Sequence, residues 1–155
     1  MTETERIVGQ MKAAYGGGAW HGPAVLELLE DVDAATAAAK PVAGAHSIWE
    51  LVLHLSASAD VIRRRIGGES AGMTDEEFWP PVPTPTEGTW KATVDELKQR
   101  EANLQAAVAS FPVDRLDATL VAGKTTSAYE NFHGEVQHAL YHAGQIALLK
   151  KLVRG

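Results

Sequence analysis

The stretch His133-Gly-Glu135-Val-Gln-His138-Ala-Leu-Tyr141-His142-Ala-Gly-Gln145-Ile-Ala-Leu-Leu-Lys150 decides how the chain is read. His138 and His142 stand four apart, so on a helix of about 3.6 residues per turn they share one face. Steps of three and four extend that face to Glu135 on one side and Gln145 on the other. Much of the remainder is Ala, Leu, Val and Ile. The stretch reads as a long helix, from about Ala128 to Leu152, with a polar stripe of Glu, His, His and Gln. Two imidazoles at this spacing both reach one metal ion, the use made of paired histidines in zinc-protease helices. The protease motif itself is absent, because Ala139 follows the first histidine where that motif has Glu. Without further histidines, the pair fits a polar seam in a helix bundle as well as it fits a metal site.

Length and composition narrow the setting. At 155 residues the chain fits a single domain, residues 1–155, large enough to bury a core without staples. It has no cysteine, which excludes disulfides, thiolate metal sites and a cysteine nucleophile, and which fits a reducing cytoplasm. A formal charge of −6 and the lack of a long basic run argue against a nucleic-acid partner. The start, Met1-Thr-Glu-Thr-Glu-Arg6, is unlike a signal peptide, and no apolar run approaches bilayer length. The expectation is a soluble cytoplasmic protein with neither a nucleic-acid nor a membrane partner.

Upstream, the same periodicity yields further helices. Ile7, Val8, Met11 and Ala14 recur at threes and fours, predicting a short N-terminal helix over about Thr4–Tyr15, which Gly16-Gly-Gly18 stops. Pro23 suits the first turn of the next helix, which carries Val25, Leu28, Leu29 and Val32 and fades through Ala34–Lys40. Ser47 and Glu50 have capping-box spacing and open a helix with Ile48, Leu51, Val52, Leu55, Ile62 and Ile66 on its apolar side. His54 sits in its middle. Arg63-Arg64-Arg65 suits the negative end of the helix dipole and reads as a solvated face. Another helix runs from about Trp90 to Ser110, with Val94, Leu97, Leu104 and Val108 at helical spacing.

Between these two helices lies the one long linker, Gly67 to Thr89, with Pro80, Pro81, Pro83 and Pro85. Extended chain of that length covers on the order of 60 Å, whereas the preceding helix is only about 30 Å long. The linker can therefore return to the start of the bundle, so that the flanking helices run parallel. The fold class is all-α: a four-helix bundle with a long crossover between its second and third helices, plus the short N-terminal helix. Phe78, Trp79 and Trp90 are placed to pin the linker over the bundle, packing being preferred to a mobile lid. Ala122-Gly-Lys-Thr-Thr126 lacks the second glycine of a phosphate-binding loop and has no strand before it.

A third histidine decides the metal argument. Of six in the chain, His54 is best placed, because an unpaired imidazole is costly to bury in a mostly apolar helix. His133, five residues before His138, points roughly 140° away from it. His46, just before the cap, and His21, in a loop, suit supporting roles better but stay open as ligands.

Two motifs carry a resemblance: Ser47-Ile-Trp-Glu-Leu-Val-Leu-His54-Leu and Gln137-His138-Ala-Leu-Tyr141-His142-Ala-Gly-Gln145-Ile. Together with the Trp20-His21-Gly22 loop, they resemble the DinB-like superfamily from about Trp20 to the end. The resemblance implies a four-helix bundle that holds a divalent metal, often nickel or zinc, through three histidines. Residue by residue, those ligands fall on His54, His138 and His142. It also implies a homodimer and, among members with assigned chemistry, transfer of low-molecular-weight thiols such as bacillithiol or mycothiol to electrophiles, or thiol-dependent isomerisation. Glu135 has no counterpart in the family motif.

Three neutral imidazoles leave coordination positions for water or substrate, and a cation there favours the anionic form of what binds. The leading expectation is a metal-dependent thiol S-transferase acting on small electrophiles, with the thiol as co-substrate. A metal-dependent hydrolase is the second reading, with Glu135 as general base. A stress-related metal-binding dimer without catalysis is the third. Tyr141 and Gln145 flank the ligands, where they could orient substrate or simply pack.

Overall fold

A computed structural model describes residues 1–72 and 74–155. Seven α-helices follow one another among the described residues: α1 Glu3–Gly16, α2 Val25–Leu29, α3 Ala34–Ala38, α4 Ile48–Ile66, α5 Asp75–Phe78, α6 Glu87–Ala109 and α7 Ala128–Arg154. Beyond them, those residues form a 3₁₀ turn at Val113–Arg115 and one isolated bridge between Thr119 and Ser127. All four long helices start the same way. The side chains of Thr2, Ser47, Thr86 and Ser127 each accept from the backbone N–H three residues on, and that third residue's side chain returns the bond. Amides that have no partner within the helix are thus satisfied by local sequence.

The pairings give the topology. Trp49 Nε1 donates to Thr93 Oγ1 at 3.1 Å, and Arg100 donates to the Ser56 carbonyl at 3.5 Å. Both partners advance together, so α4 and α6 run parallel. His54 meets His138 while Ser58 meets Glu135, so α4 and α7 run antiparallel. The long crossover is therefore present. The N-terminal helix α1, at 14 residues the shortest of the four long helices, packs against α6 and α7, and so faces α4 across the core.

The 23–40 segment differs from the single fading helix expected. It breaks into α2 and α3, because Asp33 accepts from Thr36 N at 2.8 Å and restarts the chain as a new N-cap. α2 is tied to the end of α7, where Lys150 donates to the Leu28 carbonyl and Arg154 pairs with Asp31.

The core forms two apolar clusters. One is built around Trp49, Val52, Leu55, Leu97 and Ile146; the other around Ile7, Met11, Ile62, Leu104 and Phe132. Between them lies a buried polar layer: Tyr15 of α1, Ser58 of α4, Glu101 of α6 and Glu135 of α7. Each stands within one turn of apolar residues of its own helix, so the layer crosses the bundle at mid-height.

The linker packs against α4 as its aromatic residues foretold. Arg65 donates to the carbonyls of Ala71 and Gly72, which turns the chain back at the end of α4. Gly72 has φ +70°, and a Cβ there would lie 2.5 Å from Val61 Cγ1 and 2.8 Å from Phe78 Cζ. Only glycine lets the linker come this close. Trp90 Nε1 donates to the Val32 carbonyl at 2.7 Å where the linker ends. Gly72→Ala is expected to cost about 1–3 kcal/mol through strain at positive φ and displacement of Phe78, read as a lower midpoint in urea unfolding.

Candidate metal centre

His138 and His142 project from one face of α7, and His54 meets them from α4. His138 Nε2 lies 2.8 Å from His54 Nε2 and 2.9 Å from His142 Nε2. The three form a group able to hold a metal ion. Their tautomers can be worked out from partners that only accept. His54 Nδ1 lies 2.7 Å from the Phe78 carbonyl and His142 Nδ1 lies 2.6 Å from Gln145 Oε1, so both Nδ1 atoms carry hydrogen. Both Nε2 atoms are then lone pairs, and both point at His138 Nε2, which can supply at most one proton. One proton cannot satisfy two contacts, whereas a cation takes all three lone pairs. Burial also lowers the three pKa values, that of His138 to about 4 with help from its two neighbours, so the imidazoles are neutral near pH 7. Neutral imidazole is the ligating form. The donor set fits a divalent cation.

The crossover supplies one wall. Trp79 stacks on His54 with centroids 3.9 Å apart and planes 2° apart, and on His46 at 3.8 Å and 13°. Two rings cannot share one face of an indole at these distances, so Trp79 is the middle of a three-ring stack. His46 is thereby a supporting residue, also 3.8 Å from Glu50. Gln145 positions His142 through Nδ1. Tyr141 is 66 % exposed, its ring 5.1 Å from that of His142.

Comparison with protein families matches residues 19–146 to a family described as the DinB superfamily. The chain is a member of the DinB superfamily. No curated protein and no solved structure matches it. The match spans His54, His138 and His142, and the metal-associated character of DinB proteins agrees with a group able to hold an ion. Among the described residues no helix is long and apolar enough to cross a membrane.

Other residues singled out in this DinB chain lie elsewhere. His21 lines a cavity beside the C-terminal turns of α7, and His133 packs on Tyr129. Glu135 is not brought to the three nitrogens. It lies one turn deeper, where Ser58 Oγ donates to its Oε1 at 2.6 Å. Burial raises its pKa to about 7, and burial reinforced by Glu135 raises that of Glu101 to about 8. The Tyr15 hydroxyl faces these carboxyls and is itself pushed well up, first by burial. Sequence reasoning passed over Glu101, although a signal was there: it interrupts the apolar stripe Val94, Leu97, Leu104, Val108.

The buried carboxyls fix the sign of a pH effect. Folded Glu101 and Glu135 keep protons that the unfolded chain, with carboxylates near 4.5, has released. Their contribution is thus present below about pH 4.5 and lost as pH rises through 7 and 8. The histidines oppose this trend only below their unfolded pKa of about 6.5. Stability of the metal-free protein should therefore fall between about pH 6.5 and 8.5, by at most about 1.4 kcal/mol per unit for each carboxyl. Urea midpoints across that range should flatten in Glu101→Gln combined with Glu135→Gln.

Proposed function

We propose that this DinB protein is a metal-dependent transferase joining a small thiol to an electrophilic carbon, with His54, His138 and His142 as the ligands. The observation that carries this reading is the convergence of three Nε2 atoms with too few protons between them. Imidazole suits zinc, nickel, copper and iron, and of these the resemblance to DinB proteins favours nickel and zinc. When bound, the cation favours the thiolate over the thiol, and so supplies the nucleophile that a chain without cysteine lacks.

The protein's own residues do the positioning. Phe78 and Gln145 hold two imidazoles in the ligating tautomer, and Trp79 fixes the plane of His54. His138 is only half-buried, which supports access for a substrate. Tyr141, exposed beside His142, is placed to donate a hydrogen bond to a substrate oxygen.

A cavity of about 270 Å³, walled by Val42, Leu51, Leu148, Leu149 and Leu152, meets this site at His46 and Gln145. It suits the apolar part of an electrophile. Hydrolysis draws less support, since its general base, Glu135, is buried away from the three nitrogens.

The exposed residues Tyr141, Leu148 and Leu152 form a stripe along α7 that supports a homodimer of this chain in solution. A second copy seated there would close the outer wall of the cavity. Neither a membrane nor a nucleic acid is part of the proposal, and the reaction suits the cytoplasm, where such thiols stay reduced.

With zinc or nickel, the protein should conjugate bacillithiol- or mycothiol-type thiols to monochlorobimane, the C–S bond forming as chloride leaves and the thiol proton passes to solvent, followed by fluorescence. His138→Ala should fall to the rate of the metal-stripped protein; equal rates in wild type and variant, across thiols and metals, would sink the reading. Leu148→Ser should raise KM for apolar electrophiles severalfold, since each methylene buried is worth about fourfold in affinity.

A further inference from the structure

A ligating imidazole is normally held by a hydrogen bond from its other ring nitrogen. His54 has one to Phe78 and His142 has one to Gln145. His138 has none: its Nδ1 is buried without a partner. Whenever Nε2 of His138 offers a lone pair, that Nδ1 carries the ring's proton and is a donor in need of an acceptor.

The acceptor is one turn away. Glu135 precedes His138 by three residues on the same face of α7, where Cβ atoms stand about 5–6 Å apart. Its Oε1 is taken by Ser58, and its Oε2 is buried without a partner. Ser58 follows His54 by one turn on α4, and because α4 and α7 are antiparallel both steps descend in the same direction. The Ser58–Glu135 pair thus forms the layer directly beneath the three histidines. One orphan donor and one orphan acceptor lie in adjacent layers, without a direct bond between them.

We propose that an internal water joins them, accepting from His138 Nδ1–H and donating to Oε2 of Glu135 in its ionised form, which a cation one layer above favours; this makes Glu135 the positioning residue for His138. A buried water needs two to four polar partners. His138 and Glu135 supply two, while the buried Tyr15 hydroxyl in the same layer faces Glu101. Ser58 in turn fixes the carboxyl plane. The inference rests on the metal-binding reading, since a ligating Nε2 is what puts the ring proton of His138 on Nδ1.

The full-length protein tests it by two measurements: zinc affinity from competition with a chromophoric chelator, and NMR of the imidazole nitrogens in the zinc-loaded state. Zinc-loaded wild type, in which Nε2 ligates, should show His138 as the Nδ1–H tautomer with a slowly exchanging ring proton. Glu135→Leu should weaken zinc binding by about 10–100-fold and speed that exchange. Glu135→Gln, which keeps an accepting oxygen, should lose less. Glu135→Leu with wild-type affinity and an unchanged His138 proton would overturn the proposal. If Glu135→Leu does not fold, Ser58→Ala takes its place: faster exchange of the His138 proton is expected, and an unchanged one would overturn it. Wild type that binds no zinc overturns the metal reading and this inference with it, whereas zinc binding that is indifferent to Glu135 overturns this inference alone.

Discussion

The bond from His54 Nδ1 to the Phe78 carbonyl, at 2.7 Å, joins fold and site in one contact. It exists only because the chain after α4 doubles back along the helix it has just left. That return is what lets α4 and α6 run parallel, and it also delivers an acceptor and an indole to the only candidate ligand on α4. Close approach at Gly72 and the Arg65 clamp on the turn hold the return in place. The same segment that solves a topological problem therefore sets the tautomer of an imidazole.

Beneath the histidines the bundle tolerates an unusual polar layer. Two carboxyls, a phenol and a serine hydroxyl occupy positions that each helix otherwise gives to apolar side chains, and they split the core into two clusters. An apolar residue at 101 or 135 would add burial and remove orphaned atoms. Their presence beside a candidate metal site links the polar layer to that site, since a neutral imidazole pointing at a cation needs a partner behind it. The mid-height layer and the three nitrogens are best regarded as successive layers of one arrangement.

Much was legible in the chain. The four-apart spacing of His138 and His142 forces them onto one helical face whatever surrounds them. Ser47 with Glu50 marks a helix start through bonds among residues three apart. A proline-rich linker longer than the helix before it permits a crossover. His54 was identifiable as the best placed third candidate because, at the centre of an apolar helix, an unpaired imidazole is costly to bury. Each of these inferences depends on contacts within a few residues, or on chain length alone.

What the sequence determined, then, was the set of helices, their caps, the crossover and the identity of three histidines that could act together. The tertiary structure alone decided that Trp79 stacks between His46 and His54, that Phe78 and Gln145 fix two tautomers, and that Glu135 bonds to Ser58 rather than reaching the three nitrogens. It also revealed Glu101 and Tyr15 as the companions of Glu135. The reason is physical: periodicity states which face a residue occupies, but not its height relative to residues on other helices. That height is set by how α4 and α7 slide against each other, which no local pattern records.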